Sequence, residues 1–498
     1  MVYSLRFFLL FLSGLFLVSA SGQGLDGGKG GGGCGWGYDE DGLSGEGGGN
    51  DDGVTVTSGP GVGANVGTSS LAAPQALTIS ASGSKSRQID LSWNAVDGAQ
   101  SYNLYWATTS GTATNNGTRL SGIKTASYSH TSLAGSVTYY YYVTAVDSDG
   151  KESVTSSEVN ATAGYLWDIS TLDSTGSIGV APSLAIDSNG KIHVAYQDSS
   201  NADLKYMTNS TGSWTPVTLD STGNVGASPS LAIDSAGDIH IAYFDTTNLN
   251  LKYIKKTSGS WGAPATLDST GSVGHNPSLA IDSAGDIHIA YTDGTTVGSF
   301  DLKYIKNSSG SWGAPATLDS VGSVGNYPSL AIDSSDKVHI AYTDQTNADL
   351  KYMTNSTGSW GEPVAIDSTG SVGYYPALMV DSSGKIHVAH HASPDQDLRY
   401  TTNASDSWVS TTIDSTGNVG VFPASAVDSN GKFYISYFDN TKLDLKFATN
   451  ASGSWVVSTL DSTGSVGSYS SVVIDSSGKV HIAYTDTTNA DLKYITEK

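Results

Sequence analysis

Beyond residue 165 the chain alternates apolar and polar positions in short bursts. Ile192-His193-Val194-Ala195-Tyr196 is typical: a β-branched and aromatic run bounded by turn residues. Such runs predict strands. No stretch carries a sustained 3.6-residue period, so no helix is predicted. Asp187-Ser188-Asn189-Gly190 has the composition of a tight hairpin, with Gly190 free to take positive φ.

The bursts come in sets of four, and the set returns every 47 to 51 residues. The first strand signal falls at Ser183, Ser230, Ser278, Ser329, Ala377, Ala424 and Ser471. The second starts at Ile192, Ile239, Ile287, Val338, Ile386, Phe433 and Val480. The third centres on Leu204, Leu251, Leu302, Leu350, Leu398, Leu445 and Leu492, and the fourth opens with Trp214, Trp261, Trp312, Trp360, Trp408 and Trp455. Four strands at this period fit a β-propeller blade. An orphan fourth segment, Trp167 to Asp173, precedes the first set, and the last set stops at its third segment, Leu492 to Thr496. One blade is therefore expected to be shared between the two ends. That gives seven blades, with the ring closed and no edge left to template aggregation.

The stretch before the repeats divides in three. Arg6 followed by the apolar run Phe7 to Ala20, ending in Val18-Ser19-Ala20, reads as a secretory signal at 1–20. That run is too short to span a bilayer, and no later segment is apolar enough. From 21 to 72 the chain reads as a Gly-rich acidic spacer; 17 of the 40 residues between Ser21 and Pro60 are glycine, too little apolar surface to offset chain entropy. From 73 to 164 alternation resumes in Ile89-Asp90-Leu91-Ser92-Trp93, in Tyr102-Asn103-Leu104-Tyr105-Trp106, and in Tyr139, Tyr141, Val143 and Ala145. The segments LSW, SYNLYW, TYYYYVTAVDSDGKES and EVNATA resemble a fibronectin type III domain, with Leu133 and Tyr139 at tyrosine-corner spacing. The resemblance implies a cysteine-free sandwich of seven strands. No RGD sequence is present, so an adhesive role does not follow. The turns before the tryptophans, such as Asn209-Ser210-Thr211-Gly212-Ser213-Trp214, are similar to the Asp-box of secreted sialidase-like propellers. They lack its central aspartate in most copies and are one residue shorter, so the resemblance concerns fold only. The expected architecture is all-β: a sandwich at 73–164 and a seven-bladed propeller at 165–498.

Charge narrows the partners. The net charge of −23 disfavours nucleic acid, whose phosphates need clustered Lys and Arg. The one cysteine, Cys34, excludes an internal disulfide. Gly31 stands where a lipoprotein signal has leucine, so Cys34 reads as a free thiol in the spacer. The expected protein is a secreted or periplasmic monomer, free or tethered at the cell surface, without cofactor or metal.

Residues present in every repeat read as structural. His193, His240, His288, His339, His387 and His481 share one strand position and are expected to pack against the next blade. Lys205, Lys252, Lys303, Lys351, Arg399, Lys446 and Lys493 are expected to pair with repeat aspartates. Asp198, Asp245, Asp293, Asp344, Asp439 and Asp486 read as turn caps rather than calcium ligands.

Positions that break the repeat are better ligand candidates. The Gly-x-x-Pro connection opening each blade varies, and its richest arc runs from His275 to Phe422. The fifth blade departs most, with Tyr374 and Tyr375, then His390-His391-Ala392-Ser393-Pro394, and Arg399, the propeller's one arginine. Aromatic pairs beside His and Arg suit sugar stacking with hydrogen bonding. The ligand-binding candidates are His275, Tyr327, Tyr374, Tyr375, His390, His391, Arg399 and Phe422, and the expected partner is a glycan or cell-surface protein. No catalytic residue is assigned. Sialidase chemistry needs an arginine cluster, but the propeller has one arginine and two glutamates, Glu362 and Glu497. An aspartate-based glycoside hydrolase remains an alternative, since two carboxylates suffice, as does a scaffold for protein contacts.

Overall fold

The computed structural model describes residues 55–57, 69–81, 88–111, 117–131, 133, 135, 137–164, 167–393, 395–451 and 453–498. The expected signal at 1–20, Cys34, most of the spacer and Pro394 lie outside these residues. All regular structure described is β. No helix among the described residues is long and apolar enough to cross a membrane.

Two sheets form between residues 55 and 162. One has the order Thr55–Thr57, Thr118–Ile123, Ser101–Ala107, Thr138–Val146, Val159–Thr162; the other runs Thr78–Ala81, Ile89–Ser92, Ser127–His130. Alternation along Thr138–Val146 sends Tyr139, Tyr141, Val143 and Ala145 into one core with Leu91, Trp93 and Leu104. Trp93 meets the edge of Tyr102 at 5.2 Å. Order reaches into the stretch read as spacer: Thr55–Thr57 pairs with Thr118–Ile123, Ser69 N donates to Glu152 O, and Leu71 packs on the core. A β-branched triplet and one apolar side chain found partners there that glycine counting overlooks.

Residues 167–497 form seven further antiparallel sheets, each with four main strands, in sequence order in the first six. Their first strands are Ile178–Ile186, Ala227–Ile233, Val273–Ile281, Asn326–Ile332, Tyr374–Val380, Val421–Val427 and Val466–Ile474. Each first strand contacts the next, and the seventh contacts the first, so the sheets form a ring. The seventh sheet is completed from both ends, with Trp167–Asp173 pairing against Asp491–Glu497. This is a β-propeller arrangement.

Apolar layers fill the space between neighbouring sheets. Ala195, Leu204 and Tyr206 of the first sheet share a cluster with Leu231, Ile241 and Tyr243 of the second. Each repeat tryptophan packs on the third-strand aromatic ring of the preceding sheet. The seven pairs run from Trp261–Tyr206 at 5.0 Å to Trp167–Phe447 and Trp214–Tyr494 at 5.5 Å. Trp214–Tyr494 joins the first sheet to the last. Trp214→Ala is expected to cost about 2 kcal/mol in urea unfolding, below the figure for a fully buried Trp because this residue is only partly buried.

Candidate functional site

The Gly-x-x-Pro connections meet at the centre of the ring. In each, the residue after Gly-x has positive φ: Ala181 49°, Ser228 46°, Asn276 47°, Tyr327 51°, Tyr375 53°, Phe422 49° and Tyr469 54°. Each lies where strand register shifts, as between Tyr374 and Ala377. A bulge of this kind re-aims a side chain, and left-handed backbone at a non-glycine residue carries strain that clusters at functional sites. All seven residues line one axial cavity of about 340 Å³.

The wall has two halves. Tyr327, Tyr375, Phe422 and Tyr469 form a continuous aromatic arc, with successive ring centroids 4.5, 4.2 and 4.1 Å apart. Ala181, Ser228 and Asn276 form a small, polar arc, and Ser228 Oγ donates to Asn276 Oδ1 at 3.3 Å. Among the described residues no charged side chain lines the cavity. Burial raises the hydroxyls of Tyr327 and Tyr375, and that of Tyr469 to about 12, so all three stay neutral donors and acceptors near pH 7.

Of the residues singled out from sequence, Tyr327, Tyr375 and Phe422 meet at this cavity. Tyr469 joins them; its place two residues after Gly467 marked it, although Ser470 replaces the proline. The other five lie elsewhere. Tyr374 turns to Ser371, with its hydroxyl 3.0 Å from Ser371 Oγ. His275 stacks on Phe244 at 4.0 Å, its Nε2 2.8 Å from Ser272 Oγ. His391 is buried against Val419 O at 2.9 Å. His390 is wholly buried and, with Arg399, belongs to the contact between the fourth and fifth sheets.

That contact varies a motif found at every sheet junction. Elsewhere a second-strand tyrosine donates to Oδ2 of the aspartate ending the previous sheet's fourth strand, as Tyr243 does to Asp220 at 2.7 Å. A third-strand lysine donates to the same oxygen, as Lys351 does to Asp319 at 2.8 Å. These donors hold Asp220 and Asp319 ionised below the usual carboxylate range, against a desolvation that pushes the other way.

The repeated histidines take their hydrogen bonds within their own sheets, and the His387 ring also packs on Phe433 of the next sheet at 4.2 Å, the cross-blade packing expected. Tyr253 donates to His240 Nδ1 at 2.7 Å, and His240 Nε2 donates to Asp234 Oδ2 at 3.1 Å. Among the described residues no cluster of His, Cys, Asp or Glu has the form of a metal site. Asp198 caps its turn by accepting from Ser200 N and Asn201 N.

Burial lowers the pKa of His193, His240, His288, His339, His387 and His481, with their aspartates opposing, and lowers His275 from 6.5 to about 4. Below about pH 6.5 the unfolded chain therefore binds protons that the folded ring refuses, and stability falls as pH falls. Melting temperature is expected to drop steadily from pH 6.5 to 4; a flat profile there would contradict the assignment of these histidines as neutral.

No protein-family model matches the chain. A 92-residue stretch is 40% identical to an amylopullulanase of Thermoanaerobacter thermohydrosulfuricus, covering 18% of this chain and 6% of that protein. A 133-residue stretch is 32% identical to a poly(3-hydroxybutyrate) depolymerase of Ralstonia pickettii, covering 27% of this chain and 24% of that protein. The chain thus spans a quarter or less of these curated relatives. A solved ulvan lyase, described as a polysaccharide lyase of a new family, is similar at 15% identity and a TM-score of 0.47, over 67% of this chain and 94% of its own. These similarities do not assign the chain to a family.

Proposed function

We propose that the chain is an exported binding protein whose ring takes an uncharged glycan in the axial cavity. The organisation proposed is a signal at 1–20, a spacer at 21–72, a fibronectin type III sandwich at 73–164 and a seven-bladed propeller at 165–498, secreted or tethered at the cell surface. One observation carries the reading: all seven sheets aim one side chain each, from a strained and bulged position, into a single uncharged cavity. An aromatic arc facing a small polar arc matches a sugar ring, which has an apolar face and a hydroxyl rim. The volume falls within the range of about 300–1,000 Å³ usual for small-molecule sites. An anionic sugar would place its charge where no cation compensates it, at heavy cost. The relative named amylopullulanase supports a carbohydrate setting for the matched stretch.

Binding is favoured over hydrolysis because among the described residues no carboxylate lines the axial cavity, and glycoside hydrolysis uses a pair of them. The test is a glycan panel read by calorimetry. Asn276→Leu is expected to weaken any hit about tenfold by removing a hydrogen bond made in a desolvated site, and unchanged affinity would remove the polar arc from the site.

A further inference from the structure

The contact between the fourth and fifth sheets departs from its counterparts in two residues at once. In six junctions a tyrosine hydroxyl and a lysine ammonium cap Oδ2 of the aspartate. Here His390 replaces the tyrosine and Arg399 replaces the lysine. The shorter imidazole stops 3.6 Å from Asp367 Oδ2. Its Nδ1 accepts from Gly373 N at 3.2 Å, so Nε2 carries the proton, which it gives to Thr401 Oγ1 at 2.9 Å. Arg399 also stays 3.6 Å from Oδ2; its NH1 donates to Thr369 Oγ1 at 2.7 Å and its NH2 to Asp395 Oδ2 at 2.9 Å.

Two buried atoms are left without a hydrogen bond, Asp367 Oδ2 and Arg399 Nε. The Asp367 side chain is 1% exposed. Buried polar groups are almost always satisfied, so a junction with an unbonded acceptor and an unbonded donor calls for a partner. Both residues line a cavity of about 470 Å³, together with Thr369, Ser410, Thr412 and the indole of Trp408.

We propose that this cavity is a second binding site, for an uncharged ligand carrying neighbouring hydroxyls, such as a sugar unit or other polyol. One ligand hydroxyl donates to Asp367 Oδ2 and its neighbour accepts from Arg399 Nε–H. The threonine and serine hydroxyls meet the remaining rim, and Trp408 gives an apolar wall. Asp367 and Arg399 already balance each other, so the ligand brings no charge. Neither unbonded atom has open surface of its own, so binding requires Arg399 to turn away from its exposed partner Asp395. The site is separate from the axial cavity and does not depend on the reading given to it.

The test rebuilds the lock of the other junctions. His390→Tyr with Arg399→Lys restores the residues that fold six times in this ring, so the variant is expected to fold and to melt at a higher temperature. Binding of glucose and maltotriose is measured by calorimetry on the full chain carrying Tyr375→Ala, which weakens the axial contribution, with and without the double change. The expected result is binding in Tyr375→Ala that weakens at least tenfold when His390→Tyr and Arg399→Lys are added. Equal binding in the two proteins, or binding in neither, would overturn the proposal. A rise in melting temperature with no change in binding would make the junction a packing defect only, which also overturns it.

Discussion

Gly179→Ala is expected to destabilise the ring by roughly 3 kcal/mol, more than any surface substitution. Gly179 has φ +75°, and an added Cβ would lie 2.6 Å from Leu492 Cα, backbone of the neighbouring sheet that cannot swing away. Left-handed backbone costs an L-residue about 1–2 kcal/mol, and forced overpacking about 1–3 kcal/mol more. The position matters because Leu492 belongs to the sheet completed by Trp167–Asp173, so the clash falls at the closure of the ring. Gly190→Ala is the control. Gly190 has φ +72°, but nothing lies within 4 Å of its added Cβ, so only the conformational part, about 1 kcal/mol, is expected. Urea unfolding of both proteins separates strain from close approach. Equal losses would mean that Gly179 matters only for its backbone angle.

Tyr375→Ala is expected to weaken glycan binding about thirtyfold or more while the ring stays folded. Tyr375 is central to the aromatic arc, touching Tyr327 on one side and Phe422 on the other. Central aromatic anchors commonly carry about 2 kcal/mol or more of a binding energy, and 1.4 kcal/mol is tenfold. Folding should survive because Ala181 already holds the equivalent position at φ 49°. His390→Ala makes the contrast. Its side chain is buried between sheets and away from the axis, so that change should lower stability and leave axial binding intact.

Most of the fold is legible in the repeat itself. The four strands per period, the hairpin at Asp187–Gly190 and the pairing of Trp167–Asp173 with the last third strand all follow from residue spacing. The edges of the sandwich are less legible, because Thr55–Thr57 and Leu71 are ordered by partners distant in sequence. The candidate site is legible in part. The variability after each Gly-x points to Tyr327, Tyr375 and Phe422. It does not separate Tyr375 from Tyr374, since that depends on the bulge that turns one ring to the axis and its neighbour to Ser371. His390 and Arg399 stand out correctly as departures from the repeat. Where they point depends on the strand positions they inherit, those of the tyrosine and lysine that lock neighbouring sheets.

The most direct test of the axial site is calorimetry of the full chain against neutral and acidic oligosaccharides, repeated with Tyr375→Ala. A neutral oligosaccharide is expected to bind and to lose its affinity in Tyr375→Ala, while uronic or sialylated sugars bind far more weakly. Binding confined to acidic sugars, or affinity for the neutral one that survives the loss of Tyr375, would contradict the axial site.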